Sequence, residues 1–407
     1  MENNKTPSIR FKGFTDPWEQ RKLGELVDRV VRKNTNNEST LPLTISAQYG
    51  LVDQITYFNN RVASRDVSNY YLVLNGEFAY NKSTSDGYPF GAVKRLDLYE
   101  KGVLSTLYIV FAPKKEQQID SDYLTVFFDT DRWHKGVAER AAEGARNHGL
   151  LNISAEDFFD IDLSVPKDIV EQKQIGAFIR QLDNLITLHQ RKYNKLLNVK
   201  KSMLEKMFPK NGSNIPEIRF KGFTDPWEQR KVLDLLELLT DYDANGSFAD
   251  MAKNINTTDG DGYAWYVRIT DLENPKPLSE LKYVDESSYE FLKKTELHGG
   301  ELLMAKRGNI GKVYIFEPRT KYATVAPNMY LLKLNNKVIP HFLYDYFVSE
   351  EGNKKLTRLN ASSTMGALYK DDVKNIDVIM PSIEEQAMIG NFFQSIDHII
   401  TLHQREF

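Results

Sequence analysis

The chain has 407 residues, too many for one ordinary domain and enough for two domains that each bury a full core. Hydrophobic residues make up 41% and charged residues 27%, and no apolar run approaches the roughly 20 residues that a membrane-spanning helix needs, so we expect no membrane partner. The formal net charge of −3 excludes a protein that coats nucleic acid by bulk positive charge; any nucleic-acid surface must be local.

Two further features favour a cytoplasmic protein. Residues 1–11 contain no apolar core of an export signal. The chain has no cysteine, which excludes disulfides and thiolate metal sites and suits a reducing compartment.

An internal duplication organises the chain. Residues 9–22 read IRFKGFTDPWEQRK, and residues 218–231 repeat the same letters. Near the other end of each copy, ITLHQR occurs at 186–191 and again at 400–405. Matching ends define two tandem units of roughly 210 residues each.

Within each opening segment, Asp16-Pro17-Trp18-Glu19 and its copy at 225–228 have the capping-box order Asp, Pro, Glu, which predicts a short helix or turn. We expect Trp18 and Trp227 to be buried anchors.

Each unit then has the same order of predicted elements: a strand, a second strand, a helical stretch and a polar loop before a short apolar segment. In the first unit these are residues 76–82, 107–112, 122–142 and 143–149; in the second they are 300–306, 329–334, 341–359 and 360–366. The pattern predicts two copies of one mixed α/β domain, constant in frame and variable in surface.

A long helix is predicted from about residue 171 to residue 208, where there is no proline and a single glycine. Apolar residues and one histidine recur every seven residues, with two further apolar residues beside them: Ile175, Leu182, His189, Leu196 and Met203, then Leu185 and Ile186. Such a helix would be roughly 57 Å long and needs a partner helix. The copy at 384–407 supplies one, shortened at its end, and we expect an antiparallel coiled coil.

These elements divide the chain into four parts. We expect a first globular domain at 1–165, a central helix at 166–210, a second globular domain at 211–380 and a distal helix at 381–407 that is apparently truncated.

The sequence does not contain the residues of known catalytic motifs at the required spacing. Gly311-Lys312 lacks the Ser or Thr of a P-loop, since Val313 follows, and Lys306 stands where its first glycine is required. No Asn- or Asp-Pro-Pro-aromatic motif of amino-methyltransferases occurs, and charged triples of the nuclease type, around Asp162 or Asp271, fall at non-equivalent positions of the two units. His189 and His403 lie on the helix seam and are interpreted as interface residues, so we predict no catalytic and no metal site.

DNA recognition fits better, because it needs donors and aromatic residues on loops of a rigid frame. Donors and aromatics cluster in two loops of each unit, at corresponding positions. The first unit offers Tyr80, Asn81, Lys82, Ser83, Tyr88, Arg140, Arg146, Asn147 and His148; the second offers Lys306, Arg307, Asn309, Lys312, Ser362, Ser363, Thr364 and Lys370. Arg and Asn can read guanine and adenine, whereas Lys and Ser suit phosphates.

Over essentially its whole length the chain resembles the specificity subunits of type I restriction-modification systems. The resemblance is carried by the duplicated opening, by the ITLHQR helices and by a Pro…Glu-Gln…Ile-Gly lead-in to each helix (Pro166, Glu171-Gln172, Ile175-Gly176; Pro381, Glu385-Gln386, Ile389-Gly390). The resemblance implies two target-recognition domains, each reading one half of a split double-stranded DNA site, with the paired helices as a spacer.

The resemblance also implies partners. Two modification subunits, which methylate adenine with S-adenosylmethionine, would dock on the helices, and restriction subunits would add ATP- and Mg-dependent translocation and cleavage. The chain itself would be non-catalytic and would bind no cofactor. The alternative is a coiled-coil adaptor or scaffold that does not read DNA; a self-sufficient methyltransferase or nuclease is disfavoured by the missing motifs.

Overall fold

The computed structural model of the chain describes residues 7–46, 49–141, 149–210, 212–308, 310–362 and 368–405. The chain forms two compact units, residues 1–187 and residues 188–407. One long helix, Ile169–Lys206, contributes residues to both units.

Unit 1 is built from short strands and helices around a small antiparallel sheet. Its strands are β1 Glu19–Lys22, β2 Val27–Arg29, β3 Leu43–Ser46, β4 Gly50–Asp53, β5 Tyr71–Leu74, β6 Phe78–Asn81, β7 Ala92–Arg95, β8 Lys101–Leu104, β9 Ile109–Pro113 and β10 Asp162–Val165. Its helices are α1 Leu23–Leu26, α2 Gln54–Phe58, α3 Ser121–Phe128, α4 His134–Arg140, α5 Ala155–Phe159 and the first half of α6 Ile169–Lys206.

Unit 2 contains the second half of α6 and a larger set of elements. Its strands are β11 Glu228–Lys231, β12 Leu236–Asp241, β13 Thr257–Asp259, β14 Ala264–Val267, β15 Lys282–Val284, β16 Glu296–Leu297, β17 Leu302–Ala305, β18 Val313–Ile315, β19 Ala323–Val325, β20 Met329–Leu334 and β21 Asp377–Met380. Its helices are α7 Phe248–Asn254, α8 Ile269–Glu273, α9 Glu286–Phe291, α10 Pro340–Val348, α11 Glu350–Ser362, α12 Lys370–Lys374 and α13 Ile383–Arg405.

The two units share one sheet frame. Unit 1 has a four-stranded sheet in the order β2-β9-β6-β7, and unit 2 has the corresponding order β12-β20-β17-β18, all antiparallel. In each unit the opening segment adds a strand that pairs with the strand before the long helix, β1 with β10 and β11 with β21. Unit 2 also has a five-stranded sheet, β13-β15-β14-β19-β16.

The central strand of each frame is buried on both faces. In β6, Phe78 and Tyr80 pack into one core while Ala79 packs into another; in β17, Leu302 and Met304 enter one core while Leu303 enters another. Because side chains alternate along a strand, a strand between two cores is apolar throughout. This explains why the two predicted strands at 76–82 and 300–306 are recognisable in sequence.

Each long helix begins at a buried ion pair with the duplicated opening segment. The Arg10 guanidinium donates to both Glu171 carboxylate oxygens at 2.6 and 2.7 Å, and Arg219 donates to both Glu385 oxygens at 2.8 Å. The two glutamate side chains are 1% exposed. The opening segment thereby closes each unit onto the start of its helix.

The second half of α6 runs antiparallel to α13 within unit 2. Lys200 Nζ donates to both Asp397 oxygens at 2.5 and 2.7 Å, Gln404 Nε2 donates to the Tyr193 hydroxyl at 2.9 Å, and the rings of His189 and His403 lie 5.8 Å apart. From the Tyr193–Gln404 contact to the Lys200–Asp397 contact, the position rises along α6 and falls along α13. The predicted antiparallel helix pair is therefore present here.

The predicted heptad seam is filled at its two ends and open in the middle. Ile175 packs on the core of unit 1, and Leu196 and Met203 pack on the core of unit 2. Between them, Leu182 is 40% exposed, and Leu185 and Ile186 are 52% and 48% exposed. Within the described residues, this middle stretch does not pack as the seam predicted.

The predicted helices differ from the structure in three places. The opening motif was predicted as a short helix or a turn; Asp16 and Asp225 lie in bends, and Glu19 and Glu228 begin strands β1 and β11, so the helix alternative is wrong for these described residues. Trp227 is buried as expected, whereas Trp18 is half-buried. The helical stretch 122–142 is two helices, α3 and α4, because the chain turns between them and Trp133 inserts into the core with its indole N–H donating to the Phe128 carbonyl. Similarly, α10 and α11 are separated by Ser349, whose hydroxyl donates to the Tyr346 carbonyl at 2.6 Å.

Asp345 on α10 is a buried carboxyl in the core of unit 2, 2% exposed. Burial raises its pKa to about 8; Lys200 on α6 opposes the rise and Asp397 on α13 adds to it. An unfolded aspartate has a pKa of about 3.9. Between these values the folded unit holds one proton more than the unfolded chain, so stability falls as pH rises.

We expect Asp345→Asn to stabilise unit 2 at the alkaline end of this window, on the order of 2–5 kcal/mol, because no proton need be held on a neutral amide. Calorimetry of the intact chain between about pH 5 and about pH 9 measures the effect. Glu237→Gln, at an exposed carboxylate of β12, is the control. The same pH dependence in the Asp345→Asn variant and the wild type would contradict the expectation.

Candidate nucleic-acid interface

The two loops predicted to carry recognition residues are joined in each unit. In unit 1, the Leu151 N–H donates to the Lys82 carbonyl at 3.0 Å, and the Thr84 N–H donates to the Gly149 carbonyl at 2.7 Å. In unit 2, the Leu368 N–H donates to the Lys306 carbonyl at 3.0 Å. The equivalent lysine therefore accepts the same type of backbone bond in both units.

Tyr80 is not part of this surface, and its prediction as a DNA contact is wrong. The side chain is 0% exposed, stacks on Phe158 at 4.3 Å and donates its hydroxyl hydrogen to the Phe90 carbonyl at 2.9 Å. Burial raises the pKa of Tyr80 well above its ordinary value. Tyr80 is therefore a core residue that packs under the β6–β7 hairpin, on its buried face.

The other predicted residues of the β6–β7 hairpin lie at its surface. Asn81 is half-buried and accepts the Ser83 N–H at 3.0 Å, while Ser83 itself is exposed. Lys82 is half-buried, and its ammonium donates to the Ile153 carbonyl at 3.4 Å. Tyr88 is 37% exposed. All four side chains are at least partly exposed.

A cavity of about 370 Å³ lies beside Tyr88 and was missed by the sequence search. Its walls include His134 and Asp129, and Asp129 accepts a hydrogen bond from Lys94 at 2.6 Å. Burial lowers the pKa of His134, so this imidazole is more readily neutral. The lining residues come from β7, the hairpin, the end of α3 with the turn that follows it, and the start of α4, a combination that only the fold brings together.

Arg140 is also corrected. Its guanidinium donates twice to the Asp160 carboxylate, at 3.2 and 2.8 Å, and also to the carbonyls of Gly136 and Asp160. These bonds tie α4 to the end of α5, so the donor groups that a base would need are occupied. The remaining predictions in that loop, Arg146, Asn147 and His148, lie outside the described residues.

In unit 2 the predicted lysines are held by carboxylates. Lys306 pairs with Asp241 at 2.9 Å and with Asp243 at 2.6 Å, and Lys370 pairs with the other oxygen of Asp241 at 2.9 Å. The Lys306 ammonium is therefore paired with two carboxylates in this structure. Asp241, at the end of β12, and Asp243, in the turn that follows, were not among the residues predicted from the sequence.

The other predicted residues of unit 2 differ in their availability. Arg307 is exposed, and Lys312 pairs with Glu273 at 2.7 Å with its side chain 53% exposed. Ser362 is the last residue of α11. Asn309, Ser363 and Thr364 lie outside the described residues. Strands β17 and β18, on either side of Arg307 and Lys312, pair antiparallel as a hairpin.

Among the residues that the structure describes, no three His, Asp or Glu side chains are grouped so that they could hold a metal ion. Across the described ranges, no helix combines the length and the apolar character needed to cross a membrane.

The fold defines a tandem protein with one polar loop surface on each copy of a shared frame. The type I restriction modification DNA specificity domain matches residues 15–198 and again residues 224–406. The chain belongs to this family, and it is a specificity subunit with two recognition domains, the non-catalytic component of such systems. The family resemblance found in the sequence is confirmed.

Relatives cover most of the chain. It is 22% identical over 366 residues to the type I restriction enzyme MjaVIII specificity subunit of Methanocaldococcus jannaschii, covering 86% of this chain and 80% of the relative. It is 20% identical over 414 residues to the putative MjaX specificity subunit of the same organism, covering 96% and 89%.

Solved structures also match along the chain. The HsdS subunit from Thermoanaerobacter tengcongensis has a TM-score of 0.47 at 16% identity and covers 99% of this chain and 94% of that one. The S subunit from M. genitalium has a TM-score of 0.48 at 14% identity and covers 98% and 94%.

Substitution of two tyrosines in the hairpin region distinguishes a residue of the core, Tyr80, from a residue of the surface, Tyr88. We expect Tyr80→Phe to cost about 1 kcal/mol of stability, through the lost hydrogen bond to Phe90, and to leave DNA binding unchanged. We expect Tyr88→Ala to leave stability unchanged and to weaken DNA binding about fivefold, the size of one hydrogen bond. Thermal unfolding and equilibrium DNA binding of both variants measure this; a binding defect in Tyr80→Phe alone would reverse the assignment.

Proposed function

We propose that each domain reads one half of a split double-stranded DNA target. The observation that carries the proposal is the bond from Leu151 to Lys82 and its counterpart from Leu368 to Lys306, which places two loops of different sequence on the same frame. A common frame with diverged polar loops suits two readers of different bases. The adaptor alternative accounts for the helices and leaves this correspondence unexplained.

The proposed DNA contacts follow from side-chain chemistry and, where the structure gives it, from exposure. In unit 1 they are Asn81, Lys82, Ser83 and Tyr88, together with Arg146, Asn147 and His148. In unit 2 they are Arg307, Lys312, Lys370, Asn309, Ser362, Ser363 and Thr364, with Lys306 once its carboxylate partner is displaced. Amide and guanidinium groups would read base edges, and ammonium and hydroxyl groups would hold phosphates.

The partner subunits would use the helices. Docking of two modification subunits on α6 is supported by its open stretch, where Leu182, Leu185 and Ile186 are 40–52% exposed. Restriction subunits would then join this complex. S-adenosylmethionine, ATP and Mg²⁺ would be held by those subunits. Such a complex acts on DNA in the cytoplasm.

Domain exchange tests whether each domain reads one half of the DNA target. Residues 24–160 lie between β1 and β10, whose pairing from Glu19 with Val165 to Lys22 with Asp162 stays intact when the segment is replaced. We expect replacement by the equivalent segment of another family member to change one half of the methylated site. Sequencing of methylated DNA from cells with the modification subunits measures it.

The matched control for that exchange is replacement of residues 233–375, between β11 and β21, which should change the other half only. A change in both halves from either exchange would show that the domains do not read independently.

A change in the length of α6 tests whether this helix sets the gap between the two DNA half-sites. Inserting four helix-forming residues after Asp183, in the open stretch of α6, lengthens the helix by about 6 Å and rotates it by roughly 40° beyond a full turn. At about 3.4 Å per base pair, we expect the gap between half-sites to grow by about two base pairs while both half-sites stay the same. Mapping of methylated sites measures the gap.

The control for the insertion is a variant with four exposed residues of the same stretch replaced and none added. An unchanged gap in the insertion variant, or altered half-site bases at a fixed gap, would mean that α6 is an attachment surface and does not set the spacing.

A further inference from the structure

Four charged side chains form one ionic cluster beside the β17–β18 hairpin of unit 2. Asp241 ends β12, Asp243 lies in the 3-10 turn Tyr242–Asn245, Lys306 follows β17 and Lys370 begins α12. Asp241 bridges the two lysines at 2.9 Å each, and Asp243 contacts Lys306 alone, at 2.6 Å.

The four side chains of the cluster differ in solvent exposure. Asp241 and Lys306 side chains are 8% and 12% exposed, Lys370 is 36% exposed, and Asp243 is 70% exposed. Burial alone would raise the pKa of Asp241, but hydrogen bonds from Lys306 and Lys370 outweigh it and the pKa lies below its ordinary value. Asp241 is thus a fixed, ionised part of the fold, whereas Asp243 sits at the surface.

The inner three groups carry a net charge of +1, because one carboxylate is shared by two ammonium groups. Asp243 neutralises that charge from the solvent side of Lys306. A DNA phosphate oxygen has the same charge and acceptor chemistry as the Asp243 carboxylate. Since Lys306 is nearly covered while Asp243 is largely exposed, moving Asp243 away opens the ammonium to an outside anion.

Unit 1 provides an internal comparison. Lys82, the counterpart of Lys306 in the shared frame, donates to a neutral backbone carbonyl of Ile153 at 3.4 Å. The acceptor beside this lysine is therefore uncharged and more distant than the carboxylates beside Lys306. The two recognition surfaces differ in how firmly this lysine is held.

We propose that Asp243 is a built-in competitor of a DNA phosphate at Lys306, occupying the ammonium in the free subunit and giving way to the phosphate in the DNA complex. The inference rests on the proposed DNA-reading function and assigns Asp243 as a residue that sets the affinity of the second domain. Asp241 keeps Lys306 and Lys370 in place throughout.

The test is equilibrium binding of duplex DNA containing both half-sites to the subunit assembled with its modification subunits, over a range of salt concentrations. We expect Asp243→Asn to tighten binding about three- to fivefold at low salt, the size of one surface ion pair. The slope of log affinity against log salt should steepen by about one contact. Glu237→Gln, the same charge change at an exposed position of β12, should have a much smaller effect.

A double variant shows whether the effect passes through Lys306. With Lys306→Met present, adding Asp243→Asn should no longer tighten binding; a tightening that persists would overturn the proposal, as would equal affinities of Asp243→Asn and Glu237→Gln. Thermal unfolding checks that each variant is folded. If the wild-type complex shows no sequence preference, the proposed function falls and this inference with it, whereas intact preference with no Asp243 effect overturns the inference alone.

Discussion

The fold of each unit depends on one buried pair, the bidentate bond between an arginine of the opening segment and the glutamate at the start of the long helix. Glu171 and Glu385 are removed from water, and a buried carboxylate requires a partner of opposite charge. Arg10 and Arg219 supply it from 161 and 166 residues away. The pair therefore closes each unit and fixes where its helix begins, which explains why these two segments keep their residues while the sequence between them diverges.

The glutamine and glycine of the same lead-in extend this constraint to the domain core. Gln172 and Gln386 each donate to the carbonyl of the preceding proline and accept a backbone N–H from the loop before α3 or α10. A Cβ on Gly176 would lie 2.8 Å from the Tyr123 backbone nitrogen, so α3 can approach α6 only at glycine. Because these contacts fix the residues at the start of each long helix, differences in sequence between the two units are left to the polar loops.

The sequence predicted those elements whose signal is local, and it failed where the deciding contact is distant. β17 and β20 were recognisable because a strand between two cores is a continuous apolar run. Tyr80 was misassigned because such a strand gives no sign of which polar-tipped residue is covered. Arg140 was misassigned, and the pairing of Lys306 was not foreseen, because their partners, Asp160 and Asp241, lie 20 and 65 residues away. A local reading counts donors and cannot tell which of them are already occupied.

The occupancy of individual lysines matters more in this chain than in a strongly basic DNA-binding protein. With a net charge of −3, the chain as a whole does not attract a polyanion, and under the proposed function the attraction would come from a few cations at the loop surfaces. Each cation that is paired internally removes a large share of that attraction. In unit 1 Lys82 rests on a neutral carbonyl, whereas in unit 2 Lys306 rests between two carboxylates. If the two domains read DNA as proposed, one shared frame supports two half-sites that contribute unequally to affinity, and the difference lies in acidic residues outside the recognition loops.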